Sequence, residues 1–165
     1  MNKPVNIPNH SHTLPTGVST ITKSMLDEIR DQDQIKYVII PQGVNSIEKE
    51  AFKKCKHLAS ITIPDSVTEI GDSTFAQCYS LTSITIPNGV TNIGMGTFTF
   101  CKSLTSIIIP QGVTSIKEEV FFGCTSLTSI SIPDSVTEIG LAAFQGCTNL
   151  TSINIPDSVT SIRQD

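Results

Sequence analysis

Six prolines stand 23 residues apart, at Pro41, Pro64, Pro87, Pro110, Pro133 and Pro156. A period of about 20–50 residues marks a stacked-repeat architecture, because one such unit cannot cover its own apolar face and must bury it against its neighbours. Seven apolar slots recur in phase with the prolines. Pro64-Asp65-Ser66-Val67-Thr68-Glu69-Ile70 leads to Phe75, Cys78, Leu81, Ile84 and Ile86. Pro133-Asp134-Ser135-Val136-Thr137-Glu138-Ile139 leads in the same way to Phe144, Cys147, Leu150, Ile153 and Ile155. Full units span 41–63, 64–86, 87–109, 110–132 and 133–155, with a partial sixth at 156–165.

Each unit reads as two short strands and a return. Leu81-Thr82-Ser83-Ile84-Thr85-Ile86 ends in the apolar–polar alternation of a half-buried strand. Its L-x-x-L-x-L spacing, filled with isoleucine, is that of a leucine-rich-repeat strand. Proline follows, where its missing N–H costs the ladder least. Pro-Asp-Ser, Pro-Gln-Gly and Pro-Asn-Gly supply turn chemistry, and Val67-Thr68-Glu69-Ile70 is a second short strand. The segment from Gly71 to Ser80 returns the chain, predicted as one or two helical turns, with Glu48 to Cys55 its most helix-prone copy. The predicted fold is a leucine-rich-repeat-like repeat solenoid: a curved parallel β-sheet with short second strands and helical-turn returns.

The unit I-P-x-[SG]-V-T-x-I-x-x-x-x-F-x-x-C-x-x-L-x-S-I-x resembles the BspA-like leucine-rich repeats, a 23-residue class, from Pro41 to the end of the chain. The resemblance implies surface and adhesion roles, in binding matrix proteins or host cells.

Residues 14–40 read as a degenerate capping repeat. Val18, Ile21, Leu26, Ile29, Ile35, Val38 and Ile40 fill the seven slots, Pro15 stands for the proline, and three inserted residues fall around Ile29 to Gln34. Ser24 with Asp27 can start a helix through Met25, Leu26 and Ile29. A charged helix over an exposed repeat end is what a cap must provide. Residues 1–13, with Pro4 and Pro8, are expected to be loosely ordered.

At the other end the last unit is partial, which predicts an open apolar face and an unpaired strand edge. Three readings remain open: a fragment of a longer surface protein, an end closed by residues 158–162, or a second copy covering it. The candidate self-association residues are Ile153, Asn154, Ile155, Val159, Thr160 and Ile162, which would form a homodimer through this end.

A net charge of -4 gives no basic field for nucleic acid. No stretch is apolar and long enough for membrane insertion. Met1 to Gly17 lacks the apolar core of a secretory signal, so a cytoplasmic location follows by default, with signal-independent export or a surface location left open.

Cys55, Cys78, Cys101, Cys124 and Cys147 occupy one slot, so they form a ladder. Stacked side chains do not converge on a metal, and no C-x-x-C is present. They are therefore expected to be buried free thiols packing as small apolar residues. His10-Ser11-His12 is a weak metal candidate, and His57 beside Lys53, Lys54 and Lys56 reads as a solvated face. Serines are demanded by the repeat, and Asp65, Asp134 and Asp157 are turn formers. No catalytic constellation, cofactor site or Gly-rich phosphate loop is legible.

The expected function is non-catalytic binding of a protein partner through the repeat surface; the alternative is a structural or self-assembling element. Strand positions flanking the first inward isoleucine should face the concave side: Ser60 and Thr62, Ser83 and Thr85, Ser106 and Ile108, Ser129 and Ser131, Ser152 and Asn154. On the returns, Phe100 and Phe122 lie outside the phenylalanine ladder of Phe52, Phe75, Phe98, Phe121 and Phe144, and Tyr79 is also off-pattern. Thr97, beside Phe98, is expected to point outward.

Overall fold

In a computed structural model, which describes residues 11–27 and 35–163, successive levels stack in parallel, most strands pairing with their counterpart on the next level. One face carries β1 (Ser11–Thr13), β3 (Tyr37–Ile39), β5 (Ser60–Thr62), β8 (Ser106–Ile108) and β10 (Ser129–Ser131). These form a three-stranded sheet β1-β3-β5 and a two-stranded sheet β8-β10. Register follows the repeat: Tyr37, Val38 and Ile39 lie opposite Ser60, Ile61 and Thr62.

The second face carries β2 (Thr20–Ile21), β4 (Ser46–Ile47), β6 (Glu69–Ile70), β7 (Asn92–Ile93), β9 (Ser115–Ile116), β11 (Glu138–Ile139) and β12 (Ser161–Ile162). It divides into β2-β4-β6-β7 and β9-β11-β12. Proline sits at the corner between the faces. Its carbonyl accepts a turn bond from the valine three residues on, as in Val90 N to Pro87 O at 3.0 Å.

The core is a set of ladders. Phe52, Phe75, Phe98, Phe121 and Phe144 stack ring on ring at 5.3–5.6 Å with interplanar angles of 18° or less. Threonines facing outward bond to the level before: the hydroxyls of Thr82, Thr105 and Thr128 donate to the carbonyls of Ala59, Thr82 and Thr105. In the Pro-Asp-Ser copies the serine does the same, as Ser66 to Val44 O and Ser135 to Val113 O, both at 2.7 Å.

The returns are not helical, contrary to expectation. Two residues four apart adopt left-handed backbone in every full return: Glu50 and Lys54, Ser73 and Gln77, Gly96 and Phe100, Glu119 and Gly123, Ala142 and Gly146. Left-handed backbone costs a non-glycine residue about 1–2 kcal/mol, so the stack must compensate for it. It does so by turning alternate amides along the solenoid axis. Glu50, Phe52 and Lys54 donate to the carbonyls of Asp72, Thr74 and Ala76 in the next level. The pattern continues to Glu119, Phe121 and Gly123, which donate to Leu141, Ala143 and Gln145, all at 2.7–3.0 Å. A helix would spend those amides internally and leave the junction between levels unbonded. The helix propensity of Glu48 to Cys55 loses to this inter-level ladder.

Residues 50–54 hide a further inward slot. Ala51, Thr74, Thr97, Val120 and Ala143 are all buried. Thr97 therefore points inward, not outward. Its hydroxyl donates to Gly94 O at 2.6 Å and lies 3.3 Å from Gly71 O, while Thr74 bonds Gly71 O at 2.7 Å. A small polar group fits here because carbonyls of two successive levels converge on it.

The break between β7 and β9 coincides with a change of residue in one slot. Gly71, Gly94 and Gly140 occupy one slot just after the second strand, each against the backbone of the level before. A Cβ would stand 2.5 Å from Lys49 N at Gly71 and from Glu118 N at Gly140, and no farther from Asp72 N at Gly94. Lys117 fills this slot in the intervening level, and there the strand pairing is missing. Glu48 and Arg163 also fill it without losing the pairing. Arg163 stands against the described return that begins at Gly140 and keeps its pairing, so a side chain in this slot does not by itself break the ladder.

The ends also differ from expectation. Ser11–Thr13 form β1 and pair with β3, so this part of the segment expected to be loosely ordered is a strand. Of the expected capping helix, Ser24–Leu26 form a 3-10 turn and Asp27 is helical, while the residue preceding the turn, Lys23, makes no side-chain cap. Ser24 bonds Thr22 Oγ1 at 3.0 Å instead. The expected inserted segment at residues 29–34 lies outside the described residues, as do residues 1–10.

Candidate interaction surface

The strand-face rows point outward as expected. Thr62, Ser83, Thr85, Ser106, Ser129, Ser131, Ser152 and Asn154 are exposed, Ser60 is half-buried, and Ile108 is 72% exposed. The alternation that exposes them buries Ile61, Ile84 and Ile107 between them. The rows do not form one continuous sheet. Among the described residues, 83–85 and 152–154 are unpaired, although Thr82 N still reaches Ala59 O at 3.1 Å. A groove of about 300 Å³ opens between residues 60–63 and 83–85. Nothing in the side-chain pattern of 83–85 explains this opening.

Sequence reasoning missed the start of both rows. Tyr37 pairs in register with Ser60, and Ile39 with Thr62, so an aromatic and a branched apolar residue extend the hydroxyl rows. Counting back one period from Ser60 and Thr62 would have found them.

On the returns, Phe100 and Phe122 do come together, edge to face with ring centroids 5.3 Å apart. Phe100 N donates to Phe122 O at 2.7 Å, so the pair sits on adjacent rungs of the return ladder. A Cβ on Gly123 would stand 2.5 Å from the Phe100 ring. The Phe100 ring thus packs against the glycine of the next level, and both rings stay half-buried. Tyr79 is half-buried too, with the Lys102 ammonium 5.4 Å from its ring centre, a cation–π distance.

All five cysteines are free and buried. They do more than fill space. The thiols of Cys78, Cys101, Cys124 and Cys147 donate to the carbonyls of Phe52, Phe75, Phe98 and Phe121 at 3.1–3.2 Å. Each thiol thereby satisfies a buried carbonyl beside the stacked rings. Burial pushes the Cys101 thiol well above its ordinary value, helped by the neighbouring Cys78 and Cys124, and pushes Cys124 up to about 12. Among the described residues no cluster of three or more His, Cys, Asp or Glu could hold a metal ion. His10 lies outside them, so the His10–His12 candidate is not placed.

The C-terminal end shows an apolar face. Ile155 is 41% exposed and Ile162 50%; Ile153 and Val159 are half-buried, and Asn154 and Thr160 are exposed. Arg163 ties this end back, its guanidinium 2.8 Å from Glu138 and 3.6 Å from Glu118. Near the N-terminal end, Glu50 accepts from Lys53 at 2.6 Å and Lys23 at 2.9 Å, and these two bonds hold its carboxyl down to about 2.

The 23-residue period, the parallel pairing and the phenylalanine and cysteine ladders meet in one family. The model of the BspA type leucine rich repeat region matches in six copies, over residues 27–126 and 91–165, and the chain belongs to this family. A leucine-rich repeat protein from Bacteroides ovatus is 35% identical with a TM-score of 0.85, the match covering 93% of this chain and 42% of that one. A leucine rich cell surface protein from Faecalibacterium prausnitzii is 39% identical with a TM-score of 0.67, over 78% of this chain and 32% of that one. A leucine-rich repeat protein of T. pallidum is 27% identical with a TM-score of 0.70, covering 87% and 79%. The chain thus spans less than half the length of the first two. No curated protein matches the sequence. No helix among the described residues is long and apolar enough to cross a membrane.

Proposed function

We propose that the chain is a non-catalytic protein-binding module that presents its repeat surface to a partner. One observation supports this most. Recurring residues such as the phenylalanine stack, the thiols and the threonine rungs are buried or bonded to a neighbouring level. The strand-face row of Thr62, Thr85, Ile108, Ser131 and Asn154 varies and faces solvent. A regular scaffold that varies along an exposed row suits recognition of one partner over others. The cell surface protein from F. prausnitzii is consistent with such a role.

The test compares three proteins as bait in the native environment: wild type, Ile108→Lys on the strand face and Thr114→Lys on the second face. Both substitutions add one positive charge at an exposed site. A partner retained by Thr114→Lys and lost by Ile108→Lys supports binding through the strand face. Capture of nothing by wild type argues against the reading.

The exposed Ile155 and Ile162 favour a second reading, self-association through the C-terminal end. A two-fold contact there would cover both apolar faces and stop at a dimer. Lysines at Asn154 and Thr160 should weaken it by placing charge at the edge. Light scattering over a concentration series decides the matter, and a strictly monomeric wild type rejects it.

A further inference from the structure

The closing corner of the returns carries a basic charge pattern. Residues 53–57, 76–80, 99–103, 122–126 and 145–149 stack there level upon level. They hold Lys53, Lys54, Lys56 and Lys102, and none of the chain's 15 Asp and Glu residues. The chain as a whole is acidic, with a net charge of -4, so this edge is locally basic against an acidic background. Lys53 is engaged by Glu50. Lys54, Lys56 and Lys102 are exposed and have no carboxylate partner among the described residues.

The cations are interleaved with aromatics. Lys56, Tyr79 and Lys102 occupy the same place on three consecutive levels, and the Lys102 ammonium stands over the Tyr79 ring. Beside them lies the Phe100–Phe122 pair, at slots that Lys54, Gln77 and Gly123, or Lys53, Ala76 and Thr99, fill on other levels. The return ladder fixes the backbone beneath these side chains with amide bonds of 2.7–2.9 Å, so the edge is ordered before any partner arrives. Aromatic and basic residues over a preorganised backbone make an interaction edge.

We propose that this edge docks an acidic peptide segment of a partner protein, its carboxylates on Lys54, Lys56 and Lys102 and an apolar or aromatic side chain on the Phe100–Phe122 pair. The proposal rests on the protein-binding reading above and names its surface and partner chemistry. A long polyanion fits less well. The edge has three available cations, and the opening part of the same returns carries Glu50, Asp72, Glu118 and Glu119. A continuous polyanion would meet those carboxylates, whereas a short acidic segment with an apolar anchor would not.

The experiment measures binding of the full chain to a glutamate–tyrosine copolymer, to a lysine–tyrosine copolymer and to heparin, at low and raised salt. Wild type should bind the glutamate–tyrosine copolymer in preference to both others, and raised salt should weaken it. The double variant Lys56→Glu/Lys102→Glu should lose about tenfold or more in affinity, since like charges then face each other. Its thermal midpoint should match wild type because both side chains are exposed, and Thr114→Glu, an added carboxylate on the second face, should bind the copolymer as wild type does. Failure of wild type to bind the copolymer, equal binding by the double variant, or preference for heparin each overturns the proposal. Used as bait against the native partner, the double variant separates the two readings. A partner kept by the double variant but lost by Ile108→Lys removes the edge and leaves protein binding standing; no partner for any bait removes both.

Discussion

The returns and the strand face belong to the same levels, yet they are held together in different ways. Across all four junctions between full levels, three return amides reach the next level without interruption, from Glu50 onward to Gly123. The strand face is paired only in part, as β1-β3-β5 and β8-β10, with residues 83–85 unpaired between them. The irregular-looking segment is thus the continuous spine of this solenoid, and the sheet is the looser side. The difference follows from geometry. Left-handed residues at fixed places let the returns project alternate amides along the axis, and the stacked phenylalanine rings beneath hold the spacing.

The largest test of this contrast is Phe98→Ala. Its ring is fully buried between Phe75 and Phe121, so truncation should cost roughly 3–5 kcal/mol in chemical unfolding. A cost near that of an exposed strand-face change such as Thr85→Ala, under about 0.5 kcal/mol, would mean that the stack is not the spine. Gly94→Ala comes next. A Cβ there meets the backbone of Asp72, and overpacking against backbone costs roughly 1–3 kcal/mol. Its reciprocal, Lys117→Gly, should restore slow hydrogen exchange at the amides of β9; unchanged exchange would reject the glycine-slot explanation of the break.

Thr97→Ala should cost about 1–2 kcal/mol, because it strips the hydroxyl from buried carbonyls of Gly94 and Gly71. Thr97→Ser should recover much of that loss, which distinguishes the hydrogen bond from the methyl. The cysteines give a test by pH. The raised values of Cys101, Cys124 and Cys147 mean that the fold keeps these thiols protonated. Their contribution is fully present below about 9, the ordinary value, and is lost as pH rises from there through about 12 for Cys124. Unfolding midpoints should fall over that alkaline window, and all five thiols should label slowly until denaturant is added. Rapid labelling of the folded protein would contradict the buried ladder. The smallest effect has the opposite sign. Glu119 is exposed with left-handed backbone, so Glu119→Gly should stabilise by under about 1 kcal/mol. Destabilisation would show that the side chain, not the backbone, matters there.

Much of this was legible because a strict period converts sequence distance directly into spatial neighbourhood. The phenylalanine and cysteine ladders, the outward strand rows and the meeting of Phe100 with Phe122 all follow from counting in steps of 23 or 22. The candidate surfaces were legible to the same extent, as positions and not as a partner. Tyr37 and Ile39 were missed only because the count was not carried back into the first copy.

The sequence by itself determined the architecture: the period, the inward slots and their chemistry leave a parallel stack as the way to bury every unit. Only the tertiary structure decided the returns, the placement of Thr97 and the broken pairing at Lys117. Each depends on a neighbouring level that local propensity cannot represent. Glu48 to Cys55 prefers a helix in isolation, but amides bonded to the next level repay the left-handed backbone at Glu50 and Lys54. Thr97 points inward because two levels present carbonyls to it. Lys117 stands where the levels on either side carry glycine against a neighbouring backbone, and the strand pairing is missing at the junction before it.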